Sequence, residues 1–378
     1  MAKEINPAAL LCVGLSGPAI DDDIRSLLDR GVGGVILFSR NVQTPAQVAG
    51  LCHDLKQYAG RPLLVMTDQE GGSTARLREG FTPLPSMRAL GETGDVGLAK
   101  QVGAVIGREL RAVGIDVALA PVLDVDTNPE NPVIGPRSLS ADAAVVAAMG
   151  CALIEGIQSQ GVAACAKHFP GHGDTSQDSH DMLPRLPHTM GRLEQVELPP
   201  FRAAVEHGVA MFLSAHIVFE AIDADRPATL SPAVLQGVLR ESLGFGGVAI
   251  SDCLEMKAIA DPQNRGGDAP PREYVPAAVL AGIQAGLDLA LVSHAAELGH
   301  AAIDRLEAAQ SDGTLASTRV AEAHGRVAVL AERYAAPPLA TPDLSVLNAP
   351  ASIKVTAALI DDAGKAWRDP TQAFERDL

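Results

Sequence analysis

Residues Lys167 to His180 read KHFPGHGDTSQDSH, a mixture of three histidines, two aspartates, a lysine, glycines and a proline. No packed helix or strand favours that composition for its own stability, so the stretch reads as an active-site loop. Its residues admit three chemistries. A metal site would draw on His168, His172, Asp174, Asp178 or His180, but the spacing matches no H-E-x-x-H frame or similar ligand pattern. A phosphate cradle needs backbone N–H groups at a helix start with a following Lys and Ser or Thr, and Pro170-Gly-His-Gly173 lacks both partners. Acid/base chemistry fits best. Asp178-Ser-His180 puts a carboxylate two residues from an imidazole, and in an extended segment such side chains share a face, so the carboxylate can orient the ring and raise its proton affinity.

A proton donor needs a complementary group. Asp252, in Ala249-Ile-Ser-Asp-Cys-Leu-Glu-Met256, ends an apolar run where its carboxylate could attack a sugar carbon while His180 protonates the departing oxygen. Retaining glycoside hydrolysis needs that division of labour, usually with two carboxylates. Asp, Lys, His and Arg gathered at one mouth also suit a polyhydroxy ligand, because each hydroxyl donates and accepts and charge-assisted bonds hold it firmly.

Short apolar runs recur at 10–15, 34–38, 63–67, 117–120, 162–166, 209–214, 247–250 and 287–292, each bounded by Gly or Pro. Amphipathic stretches follow at 46–58, 97–113, 141–160, 200–208, 232–243, 272–286 and 295–309, with Thr-Pro and Ser-Pro starts at Thr44 and Ser231. Eight strand-then-helix units predict an α/β fold of the closed (β/α)8 TIM type, spanning 1–335 as a single catalytic domain. The alternative, a doubly wound open sheet, should carry phosphate-binding glycines after its first strand, and Gly14-Leu-Ser-Gly17 does not continue into that fingerprint. Helical pattern runs through 318–334 and is broken by the prolines of 335–342. Residues 336–378 are too few for an independent core and read as a tail that packs on the barrel or is partly disordered. The stretch 261–271 reads as a mobile surface loop.

In such a barrel, catalytic groups sit just past the carboxyl ends of the strands. Unusual polar residues cluster there: Asp68, Glu70 and Arg76 after the third run, Asp124, Asp126 and Arg137 after the fourth, Lys167 and His168 after the fifth, His216 after the sixth, Ser251 and Asp252 after the seventh, Ser293 and His294 after the eighth. The opposite ends carry mainly Gly, Arg and Pro. An Asp after a strand is often only the cap of the next helix, so the joint placement carries the argument. Glu70, before Gly71-Gly72, reads as fixing the turn. Asp124 and Asp126 read as holding loop backbone N–H groups, and His216 equally as a hydrogen-bonded core histidine or a ligand contact.

Composition sets limits. Lys plus Arg number 30 against 46 Asp plus Glu, a net charge of -16 that repels phosphate backbones and anionic lipids, so neither nucleic acid nor membrane is an expected partner. The five cysteines are scattered with no C-x-x-C pair, which signals neither a disulfide framework nor a zinc knuckle and points to reduced thiols. The apolar patch at 8–15 lacks a basic leader and is too short to span a bilayer, so it reads as the first strand and the expected address is cytoplasmic.

Lys167-His-Phe-Pro-Gly-His-Gly173 with Asp178-Ser-His180 resembles the glycoside hydrolase family 3 β-N-acetylglucosaminidases of bacterial peptidoglycan recycling, and separates that branch from the β-glucosidases of the family. Thr67-Asp-Gln-Glu-Gly-Gly72, Gly135-Pro-Arg-Ser138, Pro227-Ala-Thr-Leu-Ser231 and Ser251-Asp-Cys-Leu-Glu-Met256 agree, and the similarity covers roughly residues 8 to 334. The resemblance implies a retaining mechanism with no metal or organic cofactor. It implies Asp252 as nucleophile, His180 as general acid/base paired with Asp178, and Asp68, Arg76, Arg137, Lys167 and His168 as the groups that hold the N-acetylglucosamine ring. The implied substrate is N-acetylglucosamine β-linked to an anhydro-muropeptide fragment, turned over by a monomer or weak homo-oligomer.

Two positions depart from the family pattern. Ser73 stands where many relatives carry Arg, and Cys253 where Asp or Ala is common. Strand alternation would turn Cys253 to the opposite side from Asp252, which argues against a nucleophilic cysteine. The alternatives are a phosphorylase with phosphate as acceptor, a family 3 β-glucosidase, and an inactive sugar-binding barrel; the presence of both Asp252 and His180 argues against the last.

Overall fold

In the computed structural model, which describes residues 5–179, 182–260, 270–338 and 341–360, all eight apolar runs become parallel strands. They are β1 (Leu11–Val13), β2 (Gly34–Leu37), β3 (Leu64–Thr67), β4 (Val117–Ala118), β5 (Ala163–Phe169), β6 (Met211–Ser214), β7 (Val248–Cys253) and β8 (Leu289–Val292). Each pairs with its sequence neighbours, and β1 pairs with both β2 and β8, Cys12 opposite Gly34 and Leu11 opposite Ala290. The sheet is therefore the closed (β/α)8 barrel, and an open doubly wound sheet is excluded.

Strand alternation divides the apolar residues into two cores. Leu64, Met66, Leu289 and Leu291 belong to the cluster that fills the barrel, while Val65, Ala290 and Val292 belong to the larger cluster between strands and helices. Both faces are buried, which is why the strands read as continuous apolar runs. Truncating one of these buried leucines to Ala costs about 2–5 kcal/mol.

The helical ring follows the expected pattern with additions, of which the longest within the barrel comes first. Helix α1 (Asp22–Arg30), not read from the sequence, follows β1; its signals are local, an Asp21 side chain accepting from Ile24 N and a left-handed Gly31 at its end. Helix α2 (Pro45–Ala59) starts at Thr44 as its Thr-Pro pair indicates, the side chain accepting from Gln47 N. Helices α3 (Val96–Ala112) and α4 (Ala143–Gln158) pack closely, with Gly103 and Gly156 at the contact.

Two acids organise the face of the barrel remote from the strands' carboxyl ends, a correction to the impression that this face carries mainly Gly, Arg and Pro. Asp116, just before β4, accepts from Lys56 Nζ (2.8 Å), Val65 N (2.9 Å) and Ala336 N (2.8 Å). Asp288, just before β8, accepts from Arg240 (2.6 Å), Arg319 (2.8 Å) and Arg326 (3.2 Å). Beyond the last long helix, Pro350–Thr356 lies on α3, with Asn348 N donating to Glu109 (2.8 Å) and Arg108 to Ser352 Oγ (3.0 Å). Residues 261–269, read as a surface loop, and the tail from 361 lie outside the described residues. Among the described residues, no helix is long and apolar enough to cross a membrane.

Candidate active site

A cavity opens at the carboxyl ends of the strands, and its wall includes Asp68, Glu70, Arg76, Arg137, Lys167, His168, Asp252 and Cys253. Two register shifts put consecutive side chains into this wall. On β5, Lys167 pairs with Leu213 and Phe169 with the next residue, Ser214, leaving His168 as an extra residue. On β7, Ile250 pairs with Leu289 and Cys253 with Leu291, so the segment carrying Ser251 and Asp252 gains one residue on its partner. Regular alternation would send one of each pair away from the cavity; a bulge re-aims it. Lys167, His168 and Asp252 thus lie on the strands themselves rather than beyond their ends. Cys253 faces the same cavity as Asp252, which corrects the expectation that it turns to the opposite side. Burial and the neighbouring Glu255 charge push its thiol well above the usual cysteine range, so it remains a poor nucleophile.

The cations of the cavity wall form a paired cluster. Lys167 Nζ lies 2.6 Å from both Asp68 Oδ1 and Glu70 Oε1. Arg137 is clamped side-on by Glu70 with two bonds of 2.8 Å, and Arg76 reaches Asp68 at 3.4 Å. Glu70 therefore does far more than fix a turn, a role the sequence reading missed; its only local signal was an acidic residue two positions from Asp68. Burial would raise its carboxyl, but the charges of Arg137 and Lys167 outweigh that and hold it far below the usual carboxylate range. Lys167 is likewise buried, which opposes its charge, yet Asp68 and Glu70 raise its proton affinity, so the ammonium persists.

Asp124 anchors the start of the Lys167–His180 segment, as expected of a residue that holds loop N–H groups. Its Oδ1 accepts from His168 N (3.1 Å) and His172 N (2.7 Å), and its Oδ2 lies 2.6 Å from His168 Nδ1. That contact fixes the His168 ring and leaves Nε2 toward Arg137 at 3.4 Å. Asp126 pairs with Arg88 instead. His216 is a hydrogen-bonded core histidine, bonded to Thr229 Oγ1 (2.8 Å) and to the Cys253 carbonyl (2.9 Å).

The loop itself is seated on the segment after β4. Asn131 donates to His172 O (2.8 Å), Asn128 to Thr175 O (3.0 Å) and Thr127 to Asp174 (2.7 Å). His172 is enclosed between Thr175 and Ser179 hydroxyls; burial and the nearby His168 push it down to about 4, so it is neutral. His168, His172 and Asp174 are thus engaged in holding the loop, and among the described residues none belongs to a metal-ligand cluster. Asp178 is half-buried on the loop, and His180 lies outside the described residues.

A parallel barrel whose mouth sets a strand-borne carboxylate beside clamped Lys, Arg, His and Asp groups is the architecture of a barrel glycoside hydrolase. The chain belongs to glycosyl hydrolase family 3: residues 9–330 match its N-terminal domain. A beta-hexosaminidase of Thiobacillus denitrificans is 41% identical over 314 residues, covering 82% of this chain and 84% of that one. A family 3 beta-N-acetylglucosaminidase from a Paenibacillus species superposes with a TM-score of 0.87 at 41% identity, covering 95% of this chain and 68% of that one. NagZ of Neisseria gonorrhoeae, solved in complex with N-trifluoroacetyl-D-glucosamine, gives a TM-score of 0.75 at 30% identity, covering 93% and 96%. The chain is thus a glycoside hydrolase of the beta-hexosaminidase kind.

Proposed function

We propose that the chain is a retaining exo-β-N-acetylglucosaminidase acting on cytoplasmic cell-wall fragments in which N-acetylglucosamine is β-linked to an anhydro-muropeptide. The observation that carries this reading is the placing of Asp252 in the wall of one cavity with Asp68, Arg76, Arg137, Lys167 and His168. Those five groups offer charge-assisted bonds to a pyranose ring and its N-acetyl group, and a relative at 30% identity is known with an N-acylated glucosamine bound. In the proposed reaction an Asp252 oxygen attacks C1 while His180, oriented by Asp178, gives its proton to the glycosidic oxygen. The leaving sugar departs, and a covalent glycosyl ester remains. His180, now neutral, takes a proton from water as that water attacks C1, which frees Asp252. Protein groups do all of this, and no metal or organic cofactor is required.

The test compares aryl β-N-acetylglucosaminide with aryl β-glucoside and follows the products of a wall fragment by mass spectrometry. Release of free N-acetylglucosamine with a preference of several orders of magnitude for the N-acetylated substrate is expected. Preference for the glucoside, or turnover that requires phosphate and yields sugar 1-phosphate, would overturn the reading.

A further inference from the structure

Next to the proposed nucleophile is a group of side chains that the hydrolytic reaction does not use. Cys253 Sγ lies 3.3 Å from Glu255 Oε2, 3.8 Å from His294 Nδ1 and 3.0 Å from Ser293 Oγ. His294 Nδ1 lies 3.3 Å from Glu255 Oε2 and 2.9 Å from Ser293 Oγ. Bonds of about 2.3 Å to sulfur and about 2.0–2.2 Å to nitrogen and oxygen put the vertices of a zinc tetrahedron roughly 3.3–3.6 Å apart. The carboxylate stands 3.3 Å from both thiol and imidazole, within that range, and thiol and imidazole are 3.8 Å apart, a few tenths of an ångström beyond it; the Ser293 hydroxyl is within hydrogen-bond distance of thiol and imidazole.

We infer that Cys253, Glu255 and His294 form a binding site for a thiophilic divalent cation of the zinc class, and that occupation of this site inhibits the enzyme. The ligand set is pre-positioned. Glu255 is held by the backbone N–H groups of Ser293 (2.6 Å), His294 (3.0 Å) and Ala295 (3.2 Å), the kind of supporting bonds that orient ligating carboxylates. The bulge on β7 turns Cys253 toward this group instead of away from it. On binding, a metal–sulfur bond replaces the S–H bond, and the thiol proton passes to solvent. Thiolate and carboxylate then balance the two charges of the ion, so the filled site is neutral, as a buried site requires. Mixed sulfur, nitrogen and oxygen donors favour zinc over magnesium or calcium.

Inhibition follows from position. Cys253 and His294 line the same cavity as Asp252, and Cys253 N donates to Asp252 Oδ1 at 2.7 Å. A cation on the Cys253 sulfur therefore adds positive charge beside the carboxylate that must attack, and it narrows the cavity on that side.

The test uses the full chain stripped with chelator and titrated with Co²⁺ in the absence of substrate, so its outcome is independent of which sugar the enzyme cleaves. A thiolate-to-cobalt charge-transfer band saturating at one equivalent and abolished by Zn²⁺ is expected. Cys253→Ser should remove the band and weaken zinc binding by more than about a hundredfold, the upper end of what loss of a merely supporting residue costs. His294→Ala, checked for folding by thermal melting, should weaken it similarly while keeping the thiol, and the zinc inhibition constant should rise in step with the binding constant in both variants. Absence of the band in the wild-type chain, or a band and zinc affinity unchanged in Cys253→Ser, would show that the cluster is only a hydrogen-bond network around Glu255.

Discussion

Glu70 grips Arg137 side-on, Oε1 to Nη2 and Oε2 to Nε at 2.8 Å each, and neither residue is more than 5% exposed. With Lys167 on the same carboxylate, one acid positions two of the cations in the cavity wall. Removing one partner of a buried ion pair costs about 3–5 kcal/mol, because the other charge is left unpaired. Glu70→Ala should therefore lower stability by that order in urea denaturation. Glu70→Gln, which keeps the shape, should lower kcat/KM by about tenfold or more with much of the loss in KM, since the two cations lose their register.

Asp252→Asn should abolish cleavage of an aryl β-N-acetylglucosaminide while the melting temperature stays near that of the wild type. His180→Ala should impair substrates with poor leaving groups far more than activated aryl glycosides, because only the former need a proton on the departing oxygen. Equal loss on both kinds of substrate, read from kcat/KM across a leaving-group series, would count against His180 as the acid.

Gly173 seats the loop. A Cβ at this position would lie 1.9 Å from the Val125 carbonyl oxygen, a clash with backbone that no rotamer relieves. Gly173→Ala should push the segment carrying Asp178 and His180 off its seat and lower kcat by more than about tenfold, with a small change in the affinity of N-acetylglucosamine as a competitive inhibitor, whose proposed contacts lie outside the displaced stretch.

Stability should fall on acidification through a definite window. Burial, then the charge of His168, depress His172 to about 4, so the unfolded chain takes up a proton near the ordinary histidine value while the folded chain does not. The unfolded state then binds more protons between about pH 6.5 and 4, and stability is lost as pH falls across that interval, by up to roughly 3 kcal/mol for this group. Thermal melts at successive pH values check this, and His172→Gln should flatten the curve in that range.

Chelator treatment should leave hydrolysis intact or raise it, because the proposed acid, base and nucleophile are all side chains and the proposed zinc site is inhibitory. A loss of activity restored by adding metal back would contradict the proposed mechanism.

The eight strands were legible from sequence because a strand buried on both faces must be apolar throughout, and its Gly and Pro borders are local features. The polar residues at their carboxyl ends were legible for the same reason: Asp68, Lys167 and Asp252 interrupt apolar runs and stand out. Helix α1 escaped notice although its Asp21 cap and Gly31 terminus are equally local signals.

What sequence by itself determined, then, is the order of the eight strands and of most helices between them, and the choice of candidate reactive side chains, since both follow from hydrophobic periodicity and side-chain chemistry within a few neighbours. Only the tertiary structure decided that His168 and Lys167 share one wall, that Cys253 joins Asp252 there, and that Glu70 clamps Arg137 across 67 positions of chain. The physical reason is that a bulge is set by register against the adjacent strand and a buried ion pair by the closure of the whole barrel, so neither is encoded in any short window of residues.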